Sequence, residues 1–192
     1  MSHSKLNDVS ALKSRLRKEL RAKRADIPRS ERRGAARKAA RFACRLLRSR
    51  RHVAVYFSVG SELGTQMLIR ELARSRHRLY LPKLHNRTMT FVKYKTGAPL
   101  RRNRFNIAEP VFGVRAARLD AIVLPLVGFD LAGRRLGQGG GFYDRALQRN
   151  CVLRVGYSFA TQEVDVVPTD DRDARLDAVV TESGIRRFGR TR

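Results

Sequence analysis

Apolar and polar positions alternate along this chain in two distinct periods. Over residues 8–25 the spacing is helical, with Val9, Leu12, Leu16 and Leu20 on one stripe and Lys13, Arg17, Arg21 and Arg24 in a basic line on another face. Pro28 interrupts this pattern, and Ser30 is a candidate N-cap for a second helix over 31–48. That helix gathers Ala35, Ala36, Ala39, Ala40, Ala43, Leu46 and Leu47 on one side, small enough for close packing, and leaves an arginine-rich outer face. Residues 52–57 (HVAVYF) then read as a buried strand, followed by a loop and a helix over 66–76 capped by Thr65. Two further strands fall at 78–84 and 88–95, and 96–118 reads as a loop. The run 119–127 is apolar except for Asp120 and Pro125, as expected of a strand buried on both faces. A helix starting near Ala146 and running to about 150, a strand in 151–160, a last clear strand at 176–181 and a short edge strand at 185–188 complete the pattern. Strands alternating with helices predict an α/β fold with a largely parallel sheet, whose ligands bind beyond the carboxyl ends of strands. The loops after 57, 127 and 181 are those ends.

The length of 192 residues predicts one domain, 1–192, with the helices of 1–50 packed on its core. A hydrophobic content of 42% excludes a disordered chain. No apolar run approaches a membrane span, the first residues lack a signal-peptide core, and Cys44 and Cys151 are too few for a disulfide framework. A cytoplasmic protein is expected. The net charge of +25 points to anionic partners, whether nucleic acid, phosphates or polycarboxylates.

The densest chemistry follows strand 119–127. Gly137, Gly139, Gly140 and Gly141 are flanked by Arg134 and Arg135 before and by Phe142, Tyr143 and Asp144 after. Glycines allow a ligand close to the backbone, and successive N–H groups form a nest for phosphate oxygens. The spacing is not G-x-G-x-x-G, because Phe142 stands where the third glycine belongs, and no G-K-[ST] is present. On glycine content alone the segment is equally a flexible turn with solvated arginines.

Residues 133–144 meet every position of G-x-R-L-G-x-G-x-G-[YF]-Y-D, the signature of the 5-formyltetrahydrofolate cyclo-ligase family, which this chain therefore closely resembles. The family's K-x-x-L-R is matched by Lys13, Ser14, Arg15, Leu16 and Arg17, and its S-x-x-x-E-x-x-T by Ser58, Glu62 and Thr65. The resemblance implies a three-layer Rossmann-like α/β/α core with a largely parallel sheet, preceded by two N-terminal helices. It implies that ATP is the co-substrate and is bound by Lys13–Arg17 and by Arg135, Leu136, Gly137, Gln138, Gly139, Gly140, Gly141, Phe142 and Tyr143. Arg135, Lys13 and Arg17 would be the catalytic cations. Phe57, Glu62, Gln138, Gly139, Gly140, Gly141 and Phe142 would bind the folate. Magnesium would be held by Asp144 and Asp177, with Asp170, Asp171 and Asp173 as lower-ranked candidates. The implied reaction is ATP-dependent cyclisation of 5-formyltetrahydrofolate to 5,10-methenyltetrahydrofolate, with release of ADP and phosphate, through a phosphorylated formyl intermediate. Two departures from the family pattern stand out: Asn106 where glycine is common, and Arg172 where His or Trp is common.

Each residue has a plainer reading. Phe142 and Tyr143 suit core packing, Asp144 a helix N-terminus, Asp177 the surface, and Glu62 a capping role. A basic approach surface suits the polyglutamate tails of folates, and arginine bias alone would also produce it. The competing function is a basic nucleic-acid-binding protein on an α/β scaffold. It is favoured by the charge and the arginines of 29–51, and opposed by the lack of aromatic–basic interleaving, a recognition motif or zinc-ligand spacing. A third reading, a relative that has lost activity, is opposed by the presence of Lys13, Arg17, Glu62, Asp144 and Asp177.

Overall fold

A computed structural model describes residues 2–86, 88–147, 152–170 and 173–189, the side chains of 2–7 excepted. Cys151, Asp171, Arg172 and the end of the helix expected to reach 150 lie outside the described residues.

Seven strands form one mixed sheet. In chain order they are β1 (His52–Ala54), β2 (Arg78–His85), β3 (Thr88–Tyr94), β6 (Ala121–Pro125), β9 (Leu153–Tyr157), β10 (Ala178–Thr181) and β11 (Gly184–Arg187), and in space they run β11-β10-β9-β6-β1-β2-β3. The five inner strands are parallel, and β3 and β11 close the edges antiparallel. The fold is thus α/β with a mostly parallel sheet, as the strand and helix pattern predicts.

Period-two alternation sorts each inner strand between two cores. Val53, Val55, Leu79, Leu81, Ala121, Val123, Ala178 and Val180 face helices α2 (Arg29–Leu47) and α3 (Gln66–Arg74), whose Ala39, Ala40, Ala43, Leu68 and Leu72 are fully buried against them. Ala54, Tyr80, Ile122, Leu124 and Val179 face the other way, onto Phe129, Leu147 and Leu176. That second layer is thin: it consists of the short helix α4 (Phe142–Leu147) and irregular segments.

Helix α1 (Ser2–Ala25) does not lie on the sheet. Its Leu20, 1% exposed, joins Val127, Leu136 and Val167 in a separate cluster at the carboxyl end of the strands. Gly128 makes this docking possible, because a Cβ there would stand 2.5 Å from the Leu20 Cδ1. The helix is therefore held over the end of the sheet where ligands bind. Of the two N-terminal helices, α2 packs as a layer on the sheet and α1 packs through Leu16 and Leu20 over its end.

Local signals differ from expectation at four places. Ser30 lies inside α2; Pro28 precedes the helix with extended backbone, and Arg32 ties the turn by donating to the carbonyls of Ala25 (2.6 Å) and Ile27 (2.7 Å). Thr65 does stand before α3, yet its hydroxyl accepts the Ser58 N–H (3.0 Å) rather than capping the helix, and so closes the loop 58–65. The expected loop 96–118 contains a hairpin, β4 (Leu100–Arg102) with β5 (Ala108–Pro110). Its buried Glu109 accepts from the Leu84 N–H, Arg101 and Asn103. Asn106, in the turn of this hairpin, takes φ +59°, the left-handed conformation that Asn tolerates in place of glycine. Finally, β7 (Gly128–Phe129) and β8 (Arg135–Leu136) pair before the glycine loop.

Candidate active site

The β7–β8 hairpin decides what the two arginines do. Asp130, fully buried in its turn, accepts the N–H groups of Ala132, Arg134 and Val167 and the Arg134 guanidinium at 2.6 Å. Arg134 is thereby committed to holding the turn. Arg135, the next residue on the strand, points the opposite way, into a cavity of about 890 Å³.

This cavity lies at the carboxyl ends of β1 and β6, where Phe57 and Pro125 line it. Its other walls include α1, the glycine loop, the start of α4, the tip of the β4–β5 hairpin, and Asp170 and Asp173. The loop after 181 takes no part: the Glu182 carboxylate accepts the Ala160 N–H at 3.1 Å, and Glu182 does not line the cavity.

One end of the cavity carries paired charges. Lys13 Nζ donates to Asp170 (3.2 Å) and forms a close ion pair with Asp173. The Arg135 guanidinium is paired as closely with Asp144, which also accepts the Ala174 N–H at 3.2 Å. Arg135 has a side chain only 3% exposed, and its Nε is buried with no hydrogen-bond partner among the described residues. A buried cationic donor without an acceptor is costly unless a ligand supplies one. Arg17 donates through Nε to the Gly137 carbonyl at 2.9 Å, and burial, then the neighbouring Arg21, lowers its pKa. Its guanidinium lies across Gly139, where a Cβ would be 3.7 Å from Cζ. Gly139 (φ +108°) and Gly141 (φ +62°) hold the loop in conformations that favour glycine.

The other end is polar and aromatic. Glu62 accepts the Val59 N–H (2.9 Å) and the Gln138 side-chain amide (2.8 Å), and Gln138 in turn accepts from Arg21 (2.8 Å). Burial raises the Glu62 carboxyl above its ordinary range, against the opposing pull of the Val59 N–H and Arg24. Burial also pushes the phenols of Tyr56 and Tyr143 upward, so both are neutral hydrogen-bonding groups. Phe57 meets Tyr94 edge-to-face at 5.8 Å, and Phe105 from the β4–β5 hairpin meets Phe142 at 5.9 Å.

The structure therefore brings Lys13, Arg17, Phe57, Glu62, Arg135, Leu136, Gly137–Gly141, Phe142, Tyr143 and Asp144 to one cavity. Four expected residues are not brought there. Ser14 and Arg15 are exposed on α1 and Leu16 packs with Leu20, because the helix turns those positions away from the cavity. Asp177 precedes β10, at the amino end of the sheet, and its carboxylate accepts the Arg154 N–H at 2.7 Å. Asp173 and Asp170, ranked below it from sequence, line the cavity instead. Sequence reasoning also missed Arg24, Tyr56, Asn103 and Phe105 as lining residues. Arg24 carried a signal, as it falls on the same helical line as Lys13 and Arg17.

Among the described residues no group of three or more His, Cys, Asp or Glu is placed to hold a metal alone. Asp144 and Asp173 line the same cavity, and magnesium takes one or two carboxylates together with substrate phosphates and water.

The model of the 5-formyltetrahydrofolate cyclo-ligase family matches residues 9–182. Among curated relatives, the 5-formyltetrahydrofolate cyclo-ligase of Escherichia coli K12 is 43% identical over 143 residues, 69% of this chain and 79% of the relative. That of Haemophilus influenzae is 35% identical over 176 residues, 85% of this chain and 94% of the relative. The solved structure of Aquifex aeolicus 5,10-methenyltetrahydrofolate synthetase superposes with a TM-score of 0.80 at 33% identity, covering 94% of this chain and 95% of the other. The synthetase of Mycoplasma pneumoniae, at 22% identity and a TM-score of 0.73, shares the fold.

Proposed function

Because this chain belongs to the 5-formyltetrahydrofolate cyclo-ligase family, we propose that the cavity at the end of its sheet is where ATP and the folate meet. The chain is an enzyme that cyclises 5-formyltetrahydrofolate to 5,10-methenyltetrahydrofolate at the expense of ATP. The observation that carries the site assignment is the convergence of Lys13, Arg17, Arg135 and the glycine loop on one cavity wall, with Glu62 on the same cavity.

In the proposed mechanism the formyl oxygen attacks the γ-phosphorus of ATP, and ADP leaves. N10 then attacks the activated formyl carbon and gives up its proton, and the oxygen departs with phosphate as the ring closes. Phosphoryl transfer of this kind needs alignment and neutralisation of charge more than covalent help. Lys13 and Arg17, one turn apart on α1, and Arg135 supply the cations. Their present partners support an exchange: when phosphates enter, the cations turn to them and the carboxylates of Asp144 and Asp173 are left for a dication. Magnesium held there would spread charge over the β- and γ-phosphates. The unpartnered Arg135 Nε is a donor suited to an oxygen that gains charge during transfer.

Glu62, with two carboxylate oxygens, suits the paired N–H donors of a pterin edge, and Phe57, Phe105 and Phe142 offer faces to its ring. Arg104 and Arg145, stacked on Phe105 and Phe142, would accompany a polyglutamate tail at the rim. In that case KM for polyglutamylated substrate rises steeply with salt while that for monoglutamate does not; equal, salt-independent values would remove the idea. No helix among the described residues is long and apolar enough to cross a membrane, and a cytoplasmic location is proposed.

The direct test mixes protein, ATP, Mg²⁺ and 5-formyltetrahydrofolate and follows the near-UV absorbance of the methenyl product. Asp144→Asn and Arg135→Ala each lose most turnover, roughly a hundredfold or more, while remaining folded. Near-normal turnover of Asp144→Asn removes the metal assignment.

A further inference from the structure

Helix α1 carries, besides Lys13, a second buried cation that the nucleotide chemistry does not use. Arg24 is 6% exposed and lines the cavity, two turns beyond Arg17 and so about 10 Å further along the helix axis. Its Nε donates to the Ser61 hydroxyl at 3.0 Å, which holds the guanidinium beside Glu62, the next residue in the chain. Burying an arginine in a cavity wall with a neutral hydroxyl as the acceptor for its Nε is unfavourable unless a charge nearby compensates it.

The surroundings of Glu62 identify that charge. From its own loop, the carboxylate faces the Val59 N–H; from the residues after β1, Tyr56; from the glycine loop, Gln138; from α4, Tyr143; and from α1, Arg24 and Arg21. Tyr56, Tyr143, Gln138 and the amide are neutral. Arg21 is exposed and bonded to Gln138, so solvent and salt screen it. Arg24 is the buried cation of the set. Removing solvent from Glu62 favours its protonated form, and a protonated carboxyl has lost one of the acceptor positions that a pair of pterin N–H groups needs.

We propose that Arg24 is a positioning residue for folate recognition: it keeps Glu62 anionic inside the cavity, so that one edge of α1 serves both ligands. Lys13 and Arg17 attend the nucleotide, and Arg24 attends the pterin through Glu62. This rests on the reading of Glu62 as the folate acceptor.

The test measures binding of 5-formyltetrahydrofolate by calorimetry without ATP, from about pH 5.5 to 8.5, for the wild type, Arg24→Met, Arg24→Lys and Glu62→Gln. Arg24→Met is expected to weaken binding roughly five- to tenfold near pH 6 and much less near pH 8.5, moving the acid limb of the profile to higher pH. Arg24→Lys restores the wild-type profile, and the KM for ATP stays within about twofold in both. Glu62→Gln binds weakly at every pH. A purely structural Arg24 gives Arg24→Met a loss that is the same at all pH values, or gives Arg24→Lys the same defect as Arg24→Met; either result overturns the proposal while leaving Glu62 as the acceptor. Wild-type binding by Glu62→Gln overturns both. Should Arg24→Met fail to fold, Ser61→Ala releases the guanidinium with the cation retained. It then shifts the acid limb in the same direction by less, and an unshifted limb refutes the proposal.

Discussion

Exchanging the two aspartates Asp173 and Asp177 in turn separates the site that the fold builds from the one that the motif pattern suggested. Asp177 sits at the amino end of the sheet, and its carboxylate takes the Arg154 N–H at 2.7 Å in a partly buried setting. A hydrogen bond from a backbone amide to a charged acceptor contributes about 1.5–3 kcal/mol, so Asp177→Ala costs about 2 kcal/mol. For a chain of 192 residues this lowers Tm by about 4–8 °C. Turnover measured well below the new Tm stays within about twofold of wild type, because nothing in the cavity has moved. Asp173 lies in the cavity, paired with Lys13 and accepting the Asp170 N–H at 2.8 Å. Asp173→Asn keeps an oxygen for that amide and removes only the charge. The expected result is a small change in Tm and a loss of turnover of about tenfold to a hundredfold, partly recovered at high Mg²⁺. The assay is initial rate of methenyl formation against Mg²⁺ concentration, with thermal unfolding of each variant alongside. A folded Asp177→Ala that has lost turnover, together with an active Asp173→Asn, would refute the placement of the dication.

Glu62→Gln exchanges function for stability. The folded protein raises the Glu62 pKa above the ordinary value of 4.5, chiefly through burial, so the fold favours the protonated form. The associated stability is fully present below that ordinary value and is lost as pH rises through the folded one; glutamine avoids the loss. Glu62→Gln therefore has a higher Tm than wild type at pH 7, a gap that closes as pH falls below 4.5, while folate binding is lost; a Tm gap independent of pH refutes this. Leu20→Ala removes a side chain that is 1% exposed and costs about 2–5 kcal/mol. Since Leu20 seats α1 on the β7–β8 hairpin, the KM for ATP rises about tenfold in the fraction that remains folded, and parallel titrations of ATP and folate show whether the nucleotide side is hit first.

Much of the fold was legible because the inner strands announce themselves. Residues 119–127 supply apolar side chains to both faces of the sheet, and α2, packed on one face, carries the small residues that close packing needs. The hairpins β4–β5 and β7–β8 were not legible, since strands of two or three residues leave no period to detect. They are fixed by long-range contacts instead: Glu109 reaches back to β2, and Asp130 collects amides from its own turn and from Val167. The glycine loop and its arginine were legible as a motif, but the division of labour between Arg134 and Arg135 was not. Only the pairing of β8 shows that one side chain turns to Asp130 and the next to the cavity.

The first helix shows where pattern reading fails and why. Its apolar stripe predicts that Val9, Leu12, Leu16 and Leu20 face inward, and by that rule the cations are the wet side. Leu12 is instead 54% exposed, whereas Lys13 and Arg24 are buried at 9% and 6% exposure. Burying cations on an amphipathic helix, with an apolar residue left in water, is unfavourable as folding and is sustained here by Asp170, Asp173 and Glu62 on the facing wall. Those carboxylates come from segments more than 35 residues away in sequence, so no local window contains the compensation. A helix whose buried line is ionic has its charges already desolvated and gathered at one space. The desolvation of those cations has been completed during folding, so an incoming polyphosphate imposes an exchange of partners and not the burial of new charge, which favours electrostatic catalysis. The departure from amphipathic patterning in α1 is therefore where folding and function make opposite demands on the same residues, and the ion pairs with the facing wall are what reconcile them.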